Sequence, residues 1–174
     1  VCKPRPKVIV TAPAGPQLYG SLWPEFSKHL SQSDALRSTL TKDQDKIYVT
    51  ANGPKEQWIK PRTIQPNASP DAQAETLAGV HDTSVLYAID EATGVQNTVF
   101  RPLEGGMTDP IALMIMIFNP TRQSGFAMES QTKNREDFLC LHWDGEELAA
   151  QKQSDPKRYW WFDSQAQERL AKKY

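Results

Sequence analysis

Cysteine and histidine are scarce in this chain, with two of the first and three of the second in 174 residues. That scarcity excludes a disulfide-dense scaffold, and the paired-Cys and His-Glu-x-x-His zinc spacings are absent. No metal site and no cofactor are expected. No excess of charge exists either: 20 basic side chains face 21 acidic ones, for a formal charge of -1. Such a balance provides no field to draw in phosphate backbones or anionic lipid, so nucleic acid and membrane surfaces are excluded as first partners. No apolar run approaches the length of a transmembrane helix. A phosphate-cradling G-x-x-x-x-G-K-[ST] loop is also missing.

Proline is plentiful, with 13 residues, and the apolar fraction is 39%. These values describe a loop-rich globular chain, long enough to bury roughly 70% of its unfolded surface. Its most apolar stretch is Ile111–Phe118, bounded by Asp109-Pro110 and Asn119-Pro120. Eight residues between prolines suit a strand buried on both faces better than a helix, and the sheet is expected to be centred on it.

Further strands are expected at Lys7–Thr11, Lys46–Thr50, Glu56–Lys60, Ser84–Ile89, Gly94–Phe100, Phe126–Glu129 and Phe138–Trp143. Two hairpins follow, one through Asn52-Gly53-Pro54 and one through Asp90–Thr93. Leu22, Phe26 and Leu30 recur at helical spacing after Ser21, with His29 off that stripe and read as solvated. Ser33 can cap a second short helix. Ser69-Pro70-Asp71 starts another that Gly79 stops, so the sequon Asn67-Ala-Ser69 already has a structural use for its serine. A closing helix is expected from Pro156 to Lys173.

These elements describe an α+β fold: a mostly antiparallel sheet of about six strands with three or four helices. Residues 1–16 read as an extended, Pro-rich leader and 17–174 as one globular domain. The chain starts at Val1, as a processed product or an excised fragment does.

Three readings of the cysteines stand side by side: a Cys2–Cys140 disulfide, a lipid-bearing Cys2, or two unrelated thiols. A bridge would close nearly the whole chain and, by loop entropy, contribute about 5 kcal/mol in an oxidising compartment. Candidate chemistry lies at Cys140, His142 and Asp144, where a thiol and an imidazole two residues apart on a strand share a face. His81 and Asp82 are a second weak pair, and Asp90, Glu91, Glu104 and Asp109 fall in turns, where acids are common. Trp160 and Trp161 beside Lys157 and Arg158 are a candidate binding surface. The reading favoured by these residues is a non-catalytic, exported or envelope-associated module that binds another protein, as an inhibitor, an immunity-type protein or an envelope component does. It would be periplasmic or secreted. A small hydrolase or toxin-like catalytic domain cut from a longer chain is the alternative function, and the cytoplasm is the alternative location.

Overall fold

The computed structural model describes residues 5–65, 67–77, 79–108, 111–155 and 157–158. Two compact units divide the chain, Val1–Asn134 and Arg135–Tyr174.

The first unit is built on a six-stranded sheet. Its strands are β1 (Lys7–Thr11), β2 (Leu40–Lys42), β3 (Ile47–Val49), β4 (Trp58–Pro61), β5 (Ser84–Asp90) and β6 (Ile111–Ile117), in the order β2-β3-β4-β1-β5-β6. The α+β class and six strands agree with expectation, but the sheet is mixed rather than mostly antiparallel. β4, β1, β5 and β6 run parallel, while β2, β3 and β4 form an antiparallel meander at one edge. The meander contains the expected hairpin, with Ile47 opposite Ile59.

Parallel neighbours need long crossovers, and helices supply them. From β1 the chain runs through α1 (Gly15–Gln17), a wider turn at Leu18–Leu22, α2 (Trp23–Gln32) and α3 (Asp34–Thr39) before the meander. α4 (Pro70–Leu77) joins β4 to β5, and α5 (Asn97–Gly106) joins β5 to β6. Local signals account for several of these boundaries. The Ser33 hydroxyl accepts from the Leu36 N–H and the Ser69 hydroxyl from the Ala72 N–H, while Gly79 takes φ 76° beyond the end of α4.

Alternation along the strands divides the core in two. Ile9, Val85, Tyr87 and Ile89 face Leu77 of α4 and Val99, Phe100 and Leu103 of α5, with Met114 and Met116 at the margin. Val8, Val10, Ile59 and Ala88 face Leu18, Leu22 and Phe26 on the other side.

Three expectations fail here, each for a physical reason. Ile111–Ile117 is an end strand of the sheet, and Leu113, Ile115 and Ile117 remain 41%, 45% and 63% exposed. Only alternate residues of the apolar run are covered. Residues 97–100, expected in a strand, open α5, because Val99, Phe100 and Leu103 gain burial at helical spacing that β-branched content had masked. Phe126–Glu129 forms the single helical turn α6, which sets the Phe126 ring 4.3 Å from that of Phe100, nearly parallel.

In the second unit Phe138–Trp143 takes no regular structure, and Leu139, Leu141 and Trp143 are exposed. α7 (Gly145–Ser154) follows, capped by the Asp144 carboxylate, which accepts from the Glu146 and Glu147 N–H groups. The expected closing helix falls largely outside the described residues.

Candidate functional site

In an open parallel sheet, ligands bind beyond the carboxyl ends of the strands, where successive connections leave in opposite directions. β1 is that point in this fold. The connection after it leads outward to β2, the meander brings the chain back to β4, and the connection after β4 crosses β1 to reach β5. The neighbouring exits of β1, β5 and β6 are Ala12-Pro13, Glu91–Gly94 and Phe118–Thr121.

The exit of β5 carries two adjacent carboxylates. Asp90, half-buried, is the last residue of the strand and pairs in register with Ile117. Glu91, exposed, follows with φ 46° and ψ 47°, a left-handed conformation that costs a residue with a side chain about 1–2 kcal/mol. Neither takes part in the ion pairs found among the described residues. Strain of this sort persists where surrounding structure imposes it, and it concentrates at sites of chemistry.

The turn after Glu91 is closely held by its neighbours. Residues 92–94 form a tight 3-10 turn in which the Gly94 N–H donates to the Glu91 carbonyl at 2.8 Å. Gly94 lies so close to Pro13 that an added Cβ would meet the proline Cγ at 2.6 Å. Across the turn, Thr93 Oγ1 donates to the Asn119 carbonyl at 3.2 Å and lies 3.3 Å from Thr121 Oγ1. The exit of β1 is fixed as well: buried Thr11 donates its hydroxyl to the Arg62 carbonyl at 2.7 Å.

The residues singled out in the sequence lie elsewhere. Asp82 precedes β5 at the opposite, amino end of the strands, 2.8 Å from Lys7 Nζ. The hydrogen bond from Lys7, followed by one from the Thr83 N–H, holds its carboxyl below the usual aspartate range. His81 beside it is exposed. Cys140 is half-buried with its sulfur 3.8 Å from the Phe138 carbonyl, His142 is exposed, and Asp144 is engaged as a helix cap. Cys2, Asp109, Trp160 and Trp161 lie outside the described residues. Among the described residues no group of three or more His, Cys, Asp or Glu could hold a metal ion, and no helix is long and apolar enough to cross a membrane.

The Asp90-Glu91 pair was visible in the sequence as two acids ending an apolar strand. Its meaning depends on direction. Within an expected hairpin the acids are ordinary turn residues, whereas here they end a strand that runs parallel between β1 and β6.

No family model matches the chain. Over 56 residues, 32% of its length, the chain is 39% identical to a protein of Enterobacteria phage P7 named "Probable terminase, large subunit", and the matched stretch spans 11% of that protein. This similarity corrects the expectation of a non-catalytic, exported or envelope-associated protein-binding module, and with it the secreted, disulfide-bonded and lipoprotein readings. No disulfide occurs among the described residues, which do not include Cys2.

Proposed function

We propose that this chain is part of the nucleotide-hydrolysing portion of a DNA-packaging enzyme related to terminase large subunits, acting on a nucleoside triphosphate with Mg²⁺. The observation that carries the reading is the Asp90-Glu91 pair at the carboxyl end of a parallel strand flanked by β1 and β6. Nucleotide hydrolases hold Mg²⁺ with an aspartate in this position, on a strand beside the phosphate site. The sequence similarity supports the packaging context.

The residues fit the cation. Mg²⁺ dehydrates reluctantly and is bound by one or two carboxylates together with substrate phosphates and water, so a pair of acids suffices where a closed protein cage would need more. When bound, the cation neutralises charge on the β- and γ-phosphates. Asp90, at the strand end, is the residue that would hold it. Glu91 projects from the strained turn, positioned to accept the proton of the water that attacks the γ-phosphorus as the bond to the leaving diphosphate oxygen breaks. The phosphate-cradling loop is supplied by residues other than these 174, which contain no such motif. DNA is the partner implied by a packaging role. Its recognition does not require net positive charge across this segment, because backbone contacts need only a local basic surface.

The test is Mg²⁺-dependent ATP hydrolysis by the chain in its full reading frame. Glu91→Gln and Asp90→Asn are each expected to lower turnover by about 10²-fold or more with an unchanged melting temperature, in line with loss of a general base or of charge stabilisation. Retained turnover in either variant would refute the assignment.

A further inference from the structure

We infer that Thr93 and Asn97 are positioning residues that clamp the segment after β6, Asn119–Phe126, to the turn bearing Glu91, so that this segment sets where the Glu91 carboxylate stands. The inference rests on the assignment of Asp90-Glu91 as the reaction site.

The turn that follows Glu91 is bounded on two sides, and the two sides differ in kind. Toward β1 the contact is steric: Gly94 is pressed against the ring of Pro13 and offers no adjustable group. Toward β6 the contact is polar. Thr93 Oγ1 reaches the Asn119 carbonyl and lies within hydrogen-bonding distance of Thr121 Oγ1. Four residues after Thr93, on the first turn of α5, Asn97 Oδ1 accepts from the Phe126 N–H at 2.9 Å. Gly125 makes that bond available by taking φ 103°, a conformation other residues avoid, and a Cβ there would come 3.2 Å from the same Asn97 oxygen. The Phe100–Phe126 ring stack fixes the far end of the segment to α5.

The segment is thus tied at both ends to the element that follows Glu91, while Asn119–Ser124 between them stays exposed. A hydrogen bond at a surface contributes an energy of the same order as the cost of a left-handed glutamate. Removing the Thr93 hydroxyl therefore shifts the balance toward an unstrained turn with the carboxylate displaced. Conversely, anything that pulls on Asn119–Ser124 acts on Glu91 through Thr93. The exposed segment is the mechanical handle on the reaction site.

The experiment compares Thr93→Val, which keeps the shape and removes the hydroxyl, with Thr93→Ser, which keeps the hydroxyl. In the chain in its full reading frame, Thr93→Val is expected to lower kcat for ATP about tenfold with KM changed less than twofold, because a small misplacement of a reacting group reduces rate rather than binding. Thr93→Ser restores kcat, and Asn97→Ala resembles Thr93→Val. A second readout needs no activity: the Gly94 amide, bonded to the Glu91 carbonyl, should exchange with solvent about tenfold faster in Thr93→Val than in Thr93→Ser. Wild-type turnover and exchange in Thr93→Val, beside an inactive Glu91→Gln, overturns the clamp and leaves the assignment of the acids standing. Full activity in Glu91→Gln overturns both.

Discussion

The two ends of the parallel strands are built from similar residues and arranged to opposite effect. At the amino end charges cancel in pairs, Lys7 with Asp82 and Arg5 with Glu56, and farther along β4 toward its carboxyl end Lys60 pairs with Asp45. Trp58 lies beneath two of these cations, its ring centroid 6.0 Å from Lys7 Nζ and 5.2 Å from Lys60 Nζ. Arg5 there has φ 47°, so a positive φ at a residue other than glycine occurs at both ends. At the carboxyl end two carboxylates stand side by side outside any ion pair found among the described residues, one of them on a strained backbone, wedged between Pro13 and the segment after β6. Charge neutralised in place stabilises a fold, and the proposed function draws on the pair left outside ion pairs. The difference teaches that acid content alone is a poor guide to a site, because Asp82 and Asp90 bound the same strand.

The comparison can be broken by substitutions at either end and in the core beneath them. Phe100→Ala should have the largest effect on stability, about 3–5 kcal/mol in urea unfolding, since its side chain is 1% exposed and stacks on Phe126. Gly94→Ala comes next, at about 1–3 kcal/mol, because the new methyl overlaps Pro13 and the turn must move.

Glu91→Gly separates strain from chemistry. It should leave stability unchanged or raised by up to about 1 kcal/mol, as relief of the left-handed cost outweighs the entropy that glycine adds to the unfolded chain. Activity is lost in the same variant, and a clear loss of stability would contradict the strain.

Asp82→Asn should have the smallest effect, at most about 0.5 kcal/mol, for a partly exposed pair screened by solvent. Its signature is in the pH profile. The folded-state pKa of Asp82 is lowered, so its contribution is complete above the ordinary value near 3.8 and is lost as pH falls through the lowered folded value. The variant should flatten that part of the acid limb and leave the profile above pH 5 unchanged.

Much of the fold was legible because it rests on local signals. The caps at Ser33 and Ser69, the stop at Gly79 and the Ile47–Ile59 hairpin are written in short stretches of chain. Strand direction is not local. Whether Ser84–Asp90 returns beside itself or crosses over through a helix depends on residues 97–106, where Val99 and Phe100 suggest a strand while Pro102 and Gly105-Gly106 argue against a helix. Burial of Val99, Phe100 and Leu103 against the sheet decided it. With the direction of β5 and β6 misread, Asp90-Glu91 became turn acids and Ile111–Phe118 became a centre rather than an edge. A modest cost for Ile117→Ala, under about 1 kcal/mol, would confirm the exposed face of that strand, because little of the side chain leaves water on folding.

The most direct test is a Mn²⁺ titration followed by electron paramagnetic resonance with ATP present, on the chain in its full reading frame, comparing Asp90→Asn with Asp82→Asn. The account predicts that Asp82→Asn binds Mn²⁺·ATP as the parent does, while Asp90→Asn weakens it by about tenfold or more, the usual scale for a missing ligand contact. Equal binding by Asp90→Asn and the parent would contradict it.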